Sequence, residues 1–143
     1  MIHKRILLVE DEDDLARLFE HALRRDGHLL RRSDEAAKGL AEFRRWKPDL
    51  ILLDVVLPGM SGFELLETLR LESRVPVILI SGRRRPADLD LGEKLGANDY
   101  LAKPFSLDEL RARVRLALAP PRAARAARKN SPARPPARRS SPR

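Results

Sequence analysis

A run of four apolar residues that stops at a single carboxylate constrains the fold of this chain more than any other feature. Leu50 to Leu53 contain no polar residue, and Asp54 follows directly. An apolar run without polar alternation predicts a strand that is buried on both faces, as in a parallel sheet covered by helices. Asp54 then lies at the carboxyl end of a strand, where open α/β sheets carry their ligands, and Pro58, Gly59 and Gly62 indicate a loop after it. An aspartate at such a point can equally cap a turn or a helix, so this residue alone leaves both interpretations open.

A second apolar run, Ile6 to Val9, ends in five consecutive acids, Glu10 to Asp14. The last two acids have an ordinary explanation, because acids in the first turn of a helix interact favourably with its dipole. The first two, Glu10 and Asp11, lie near Asp54 if the two strands are neighbours in a parallel sheet. Three such carboxylates repel each other unless a cation lies among them. Oxygen ligands without Cys or His favour Mg²⁺ or Mn²⁺.

Two further predicted strands end in polar residues of other kinds. Val75 to Ile80 run into Ser81, and Asn98 to Ala102 run into Lys103. A hydroxyl and an ammonium group therefore join the acids at the same edge of the sheet. These groups suit a phosphoryl group and its metal, because Lys103 and the metal can neutralise phosphoryl oxygens and Ser81 can donate a hydrogen bond. Asp54 is then the free nucleophile.

These residues and their surroundings resemble the receiver domain of two-component response regulators over residues 4 to about 118. The matching stretches are VEDE at 9–12, LLDVVLPGMSG at 52–62, ISG at 80–82 and GANDYLAKPF at 96–105. The resemblance implies that Asp54 accepts phosphate from a phosphohistidine on a sensor histidine kinase or phosphotransfer protein. It also implies that Glu10, Asp11 and Asp54 hold Mg²⁺ or Mn²⁺ together with the backbone carbonyl of Val56.

The same resemblance assigns roles at the other strand ends. It implies that Lys103 contacts the phosphoryl group, that the peptide bond before Pro104 is cis, and that Ser81 and Tyr100 form a switch pair. The expected output surface is the face formed by the fourth and fifth helices and the fifth strand, which would bind a downstream protein. The chain is expected to be a phosphoacceptor signalling domain that assists its own phosphorylation and dephosphorylation, and not an enzyme.

Helical segments alternate with the apolar runs, which predicts an α/β fold with a doubly wound, five-stranded parallel sheet. The resemblance implies the flavodoxin-like strand order 2-1-3-4-5. The second strand, His28 to Arg32, is more polar than the others, which indicates a sheet edge.

The pattern of each helix predicts its start and its buried face. Three serines precede the expected starts of the second, third and fifth helices as caps: Ser33, Ser61 and Ser106. The first helix is expected to bury Leu15, Leu18, Phe19, Ala22 and Leu23, the second Ala36, Leu40 and Phe43, and the last Leu107, Leu110, Val114 and Leu118.

The net charge of +8 is concentrated at the carboxyl end of the sequence. All eight excess cations lie in residues 120–143, which contain no acid, no aromatic and no branched apolar residue. We therefore expect a receiver domain at 1–119 and a disordered basic tail at 120–143. Such a tail is expected either to bind nucleic acid or another acidic surface weakly and without sequence preference, or to be a low-complexity extension that binds nothing. This leaves an alternative function, a nucleic-acid-binding protein that acts through the tail with the receiver as regulator.

Other classes of protein fit the sequence less well. A nucleotide-binding domain would have a glycine-rich loop after the first strand, where this chain has acids that repel phosphate. A haloacid dehalogenase phosphatase would have a second aspartate where Val56 stands. The chain has no cysteine, no run of about 20 apolar residues and no signal-peptide core. We expect a cytoplasmic protein that does not bind membranes.

The oligomeric state has two candidates, a monomer and a phosphorylation-dependent dimer. Residues 96–115 resemble regulators of the winged-helix subfamily, which pair through the expected output face. Asp99 and Arg113 match two of the interface charges of that subfamily. Lys94 stands where an acid is usual, and Leu89 where a base is usual.

Overall fold

The computed structural model describes residues 3–120, along which five strands alternate with five helices. The strands are β1 (Arg5–Val9), β2 (Leu29–Ser33), β3 (Leu50–Asp54), β4 (Val77–Ser81) and β5 (Asp99–Ala102). The helices are α1 (Asp13–Arg25), α2 (Ala36–Trp46), α3 (Gly62–Arg70), α4 (Pro86–Lys94) and α5 (Leu107–Leu118). Apart from Pro120, the predicted basic tail lies outside the described residues.

All strand pairs are parallel, and the strand order is β2-β1-β3-β4-β5. This confirms the predicted fold class and the order that the resemblance implies. The polar strand β2 lies at an edge of the sheet, as its arginines indicate. The carboxyl ends of the strands therefore meet along one rim, where the polar residues of the apolar runs come together.

The core has two layers because successive side chains of a strand point to opposite faces of the sheet. On one face, Ile6, Leu8, Leu50 and Leu52 pack with residues of α1 and α5. On the other face, side chains of α2, α3 and α4 cover the alternate strand residues. These side chains include Ala36, Leu40, Phe43, Phe63, Leu66, Leu69 and Leu89. The three central strands, β1, β3 and β4, are buried along nearly their whole length, which explains their continuous apolar runs.

Two leucines predicted to be buried are exposed. Leu18 in α1 is 47 % exposed, whereas Ala16, which was not predicted, is buried. The stripe that meets the sheet includes Ala16, Phe19 and Leu23, and Leu18 lies about 100° away from Phe19 around the helix. Leu107 is 36 % exposed because it is the first residue of α5 and precedes the turn that covers the sheet.

The predicted helix starts are correct for two helices and wrong for a third. Ser61 and Glu64 form a complete capping box before α3, and the Ser106 hydroxyl accepts a hydrogen bond from the Glu109 amide before α5. Ser33 does not cap α2, since it is the last residue of β2 and pairs with Val9. Gly62 was interpreted as part of a loop, but it is the first residue of α3.

Candidate functional site

Three acids meet at the rim of the sheet. Val9 of β1 pairs with Leu53 of β3, so the residues that follow these two lie side by side. Oxygen atoms of Glu10, Asp11 and Asp54 lie within 4.8 Å of one another. Glu10 and Asp54 are buried and Asp11 is exposed. The structure thus brings together the three acids that the sequence singled out, and of the three it exposes Asp11 to solvent.

Glu10 is the least solvated of the three acids. Its Oε2 atom accepts a hydrogen bond from the Glu12 amide at 3.0 Å. Its Oε1 atom is buried and has no hydrogen-bond partner among the described residues. Burial, and then the neighbouring Asp54 carboxylate, raise the pKa of Glu10 to about 8. A buried carboxylate with a vacant oxygen beside two further carboxylates fits a hard divalent cation that prefers oxygen ligands.

The raised pKa of Glu10 predicts that metal binding displaces a proton. The ordinary pKa of this carboxyl is 4.5, and the metal-free folded chain raises it to about 8. Protonation of this carboxyl therefore stabilises the folded state. The stabilisation is complete below about pH 4.5 and is lost as the pH rises through about 8. A cation must displace that proton, so Mg²⁺ affinity should rise about ten-fold per pH unit up to about pH 8 and then level off. Calorimetric titration in two buffers of different ionisation enthalpy measures the proton release.

The control for this prediction is Glu10→Gln without metal. The free energy of unfolding of the wild type should fall by up to about 1.4 kcal/mol per pH unit across the window. The variant should lack this slope, because it has no titrating carboxyl at position 10. A wild-type Mg²⁺ affinity that stays constant from about pH 6 to 8 would exclude a protonated Glu10.

Asp54 is held between a backbone amide and a lysine. Its Oδ1 atom accepts a hydrogen bond from the Val56 amide at 2.9 Å, and its Oδ2 atom lies 3.1 Å from Lys103 Nζ. The peptide bond between Lys103 and Pro104 is cis. The Lys103 amide also donates to the Ser81 carbonyl at 2.8 Å, which joins the ends of β4 and β5. Lys103 thus links the carboxyl ends of β4 and β5 to the Asp54 carboxylate at the end of β3.

Ser81 and Tyr100 are connected through the backbone of Arg83. Ser81 is fully buried, and its hydroxyl accepts a hydrogen bond from the Arg83 amide at 3.0 Å. The Tyr100 hydroxyl donates to the Arg83 carbonyl at 2.8 Å, and burial raises the pKa of this phenol. The sequence analysis did not find this connection. No side-chain pattern could have revealed it, because Arg83 acts here through its main chain.

Two glycines allow close contacts near these residues. A Cβ atom on Gly92 in α4 would lie 2.9 Å from Leu79 Cδ1 and 3.2 Å from Tyr100 Cδ2. A Cβ atom on Gly62 would lie 2.3 Å from the carbonyl oxygen of Asp54. The Gly62 amide also donates to the Val55 carbonyl at 2.7 Å, so the start of α3 rests on the backbone that carries Asp54. A glycine inside a helix was the available sequence signal for Gly92.

Gly62→Ala should destabilise the domain by about 1–3 kcal/mol, a typical cost of overpacking. The added methyl group meets backbone atoms of Asp54 and Val55, which cannot rotate away. Alanine gains only about 1 kcal/mol in helix propensity, which does not offset the clash. Gly82→Ala is the matched control, since a Cβ atom there meets nothing within 4 Å, and its stability should change by no more than about 0.5 kcal/mol. Equal urea midpoints for the two variants would contradict the close approach at Gly62.

Residues 6–115 match the family model described as the response regulator receiver domain. The chain belongs to this family. It is 43 % identical over 113 residues to the sensory transduction protein RegX3 of Mycolicibacterium smegmatis, a match that covers 79 % of this chain and 50 % of RegX3. The chain therefore spans about half the length of the curated relatives that it matches.

Solved structures of receiver domains have the same fold. A putative response regulator from Chloroflexus aurantiacus superposes with a TM-score of 0.78 at 34 % identity, covering 83 % of this chain and 100 % of that one. The BeF3-activated N-terminal receiver domain of RstA from Klebsiella pneumoniae superposes with a TM-score of 0.78 at 30 % identity, covering 81 % and 99 %. The receiver fold and the recognition from sequence motifs are both confirmed.

Family membership gives the general function. The chain is a receiver domain of two-component response regulators, a signalling domain that acts by phosphorylation. Receiver domains bind Mg²⁺ at an acidic pocket and interact with histidine kinases or phosphotransfer proteins. The alternative function, nucleic-acid binding through the basic tail, is not favoured by these matches. Within residues 3–120, no helix has the length and apolar character needed to cross a membrane.

Proposed function

We propose that Asp54 is the phosphoacceptor of this receiver domain. The observation that supports this most directly is the pairing of Asp54 with Lys103 at 3.1 Å beside two further carboxylates. An anionic phosphoryl donor meets a cationic side chain at this carboxylate, whereas Glu10 is buried without such a partner. We further propose that Mg²⁺ or Mn²⁺ is held by Glu10, Asp11, Asp54 and the Val56 carbonyl.

The phosphoryl group passes from a phosphohistidine of a sensor histidine kinase or phosphotransfer protein to Asp54. An Asp54 carboxylate oxygen forms the new bond to phosphorus, the bond from phosphorus to the histidine nitrogen breaks, and the nitrogen keeps the electron pair. A bound divalent cation supplies charge neutralisation for the phosphoryl oxygens. Lys103 leaves its ion pair with Asp54 and donates to a phosphoryl oxygen. The Ser81 hydroxyl, which already accepts from the Arg83 amide, has its own hydrogen available for another oxygen.

Ser81 and Tyr100 transmit the change to the output face. Movement of Ser81 toward the phosphoryl group shifts the main chain of Arg83, whose amide donates a hydrogen bond to the Ser81 hydroxyl. The Tyr100 hydroxyl donates a hydrogen bond to the Arg83 carbonyl, so Tyr100 responds to the same shift. The Tyr100 ring packs beside Gly92 in α4, so its position is coupled to the helix. Phosphorylation then shifts a pre-existing equilibrium between two arrangements of the α4-β5-α5 face. A downstream protein binds this face.

Charge pairing on this face bears on oligomeric state. Asp99 and Arg113, which match interface charges of the winged-helix subfamily, pair with each other at 2.6 Å within one chain. A monomer therefore satisfies both charges, and a phosphorylation-dependent dimer would have to exchange this pair for one between chains.

We also propose that the receiver domain ends at residue 119 in a cytoplasmic protein. In support of the boundary, α5 ends at Leu118 and its C-cap residue is Ala119. The segment at 120–143 carries eight cations and no acid, so we keep the prediction of a separable basic tail.

The experiment that tests the proposal is incubation of the full chain with a small phosphodonor and Mg²⁺, followed by intact-mass measurement. One phosphoryl group per chain is the expected product, and it should be lost on standing because acyl phosphates hydrolyse. Uptake of no phosphoryl group with several donors and saturating Mg²⁺ would overturn the proposed function.

A further inference from the structure

Arg32, the penultimate residue of β2, reaches the loop that carries two of the acids. Its Nε atom donates to the Glu10 carbonyl at 2.9 Å, and its Nη1 atom lies 2.8 Å from Asp13 Oδ1. Its side chain is only 22 % exposed, and Nη2 is buried with no hydrogen-bond partner among the described residues. The guanidinium group is thus enclosed against this loop and is not a solvated surface charge.

The loop needs such support because five acids follow one another from Glu10 to Asp14. Their mutual repulsion favours conformations in which the carboxylates spread apart, and no cation is built into this run itself. Arg32 and Ser33 of β2 oppose this spreading of the carboxylates. The Ser33 carbonyl accepts from the Glu10 amide at 3.0 Å, and Arg32 donates to the Glu10 carbonyl. Both main-chain polar groups of Glu10 are therefore bonded to the end of β2.

The preceding residue in the strand provides a natural comparison. Arg31 points to the opposite face, as alternation in a strand requires. Its guanidinium carbon lies 4.8 Å from the centre of the Trp46 ring, and it pairs with Glu42. Arg31 therefore carries the same charge as Arg32 and lies in the same strand, but none of its hydrogen bonds within the described residues goes to Glu10–Asp14.

We propose that Arg32 is a positioning residue for the divalent-cation site, a role that rests on the proposed function. It fixes the Glu10 main chain and the Asp13 carboxylate, so that the Glu10 and Asp11 side chains converge on Asp54. Arg32 itself touches neither the cation nor the phosphoryl group. Asp13 is held by Arg32 outside the site, and the Arg32 guanidinium lowers the pKa of that carboxyl.

The sign of the effect separates positioning from simple charge. As a point charge near the acids, Arg32 repels a divalent cation, so its removal would strengthen metal binding. As a positioning residue, Arg32 lowers the cost of assembling the carboxylates, so its removal weakens metal binding. The loss of residues that orient metal ligands typically reduces metal affinity by about ten-fold or more.

Calorimetric titration of the metal-free full chain with Mg²⁺, repeated with Mn²⁺, tests the proposal. Arg32→Gln should bind about ten-fold more weakly than the wild type. Arg31→Gln, the matched control, should change affinity by no more than about two-fold. Equal or tighter binding by Arg32→Gln would overturn the positioning role. If the wild type itself binds neither ion, the proposed metal site fails, and this outcome is distinct from a failure of the Arg32 role alone.

A spectroscopic measurement and a conservative variant complete the test. The ¹⁵N–¹H signals of Glu10 and Glu12 should move in metal-free Arg32→Gln and stay in place in Arg31→Gln. Arg32→Lys keeps the charge and can reach Asp13, but its donors all lie on one nitrogen and do not reproduce the rigid fork that serves Asp13 and the Glu10 carbonyl together. It should also bind Mg²⁺ more weakly than the wild type. If Arg32→Gln does not fold, wild-type affinity in Arg32→Lys would overturn the proposal, and reduced affinity with unchanged folding would support it.

Discussion

Asp54→Asn should take up no phosphoryl group under conditions that fully phosphorylate the wild-type receiver domain. The amide keeps the shape of the side chain and can still accept a hydrogen bond from the Val56 amide. It lacks the negative charge that makes the carboxylate a nucleophile. It also loses the ion pair with Lys103, which is 3.1 Å long in the wild type. The measurement is intact mass after incubation with Mg²⁺ and a small phosphodonor.

Asp14→Asn is the matched control for this substitution. Asp14 is the last of the five consecutive acids that follow β1, but its side chain is 95 % exposed and pairs with Arg17 on the surface of α1. This variant should be phosphorylated at the wild-type rate. If Asp54→Asn acquired a phosphoryl group at a rate close to that of Asp14→Asn, another residue would have to be the acceptor.

Removal of divalent cations should have the second largest effect. A phosphodonor is an anion, and without the cation it must approach the carboxylates of Asp11 and Asp54, whose oxygen atoms lie within 4.8 Å of each other and of the Glu10 carboxyl. Two like charges about 4 Å apart repel by about 4 kcal/mol near a protein surface, so Lys103 alone cannot compensate the cluster. We expect excess chelator to slow phosphorylation by at least about a hundred-fold, the scale of losing one electrostatic stabiliser of a transition state.

Asp11→Asn localises this requirement to the acidic site. Asp11 is the exposed member of the three acids, so its substitution should disturb the fold least. The variant should need a higher Mg²⁺ concentration for half-maximal phosphorylation, and saturating Mg²⁺ should restore part of the rate. Glu12→Gln, a neighbouring change outside the cluster, should leave the Mg²⁺ requirement unchanged. A wild-type rate in excess chelator would exclude a role for the cation.

The sheet and the composition of the site were predictable from sequence because both depend on strand ends. Continuous apolar runs that alternate with helical segments predict a parallel sheet covered on both faces, and parallel strands bring their carboxyl ends to one rim. Glu10, Asp54 and Lys103 could therefore be expected together from the sequence. The strand order needed the family resemblance, since periodicity does not determine which strands are neighbours.

Other features depend on tertiary contacts that a one-dimensional pattern does not contain. Leu18 and Leu107 fit an apolar helical face, but the axis of each helix relative to the sheet decides which stripe is covered. Serine is a common residue at helix caps, yet Ser33 pairs with Val9 and is the last residue of β2. Arg32 resembles any charged residue of an edge strand until the β1-α1 loop is seen to fold against its guanidinium group.

The sequence also could not distinguish the three acids from one another. Glu10 and Asp11 are adjacent acids in the chain, but the first is 1 % exposed and the second is on the surface. The difference arises because β1 pairing continues one residue beyond Val9, through the Glu10 amide and the Ser33 carbonyl. Burial then gives Glu10 its raised pKa and its vacant oxygen.

Direct localisation of the phosphoryl group tests the central proposal without any substitution. Borohydride reduces an acyl phosphate on aspartate to the corresponding alcohol, which is stable during digestion and peptide mass spectrometry. We predict that the phosphorylated wild-type chain, once reduced, carries this modification at Asp54 and that the unphosphorylated chain carries none. Modification at Asp11 or Glu10, or an unreduced phosphate ester on Ser81, would contradict the assignment of Asp54 as the phosphoacceptor.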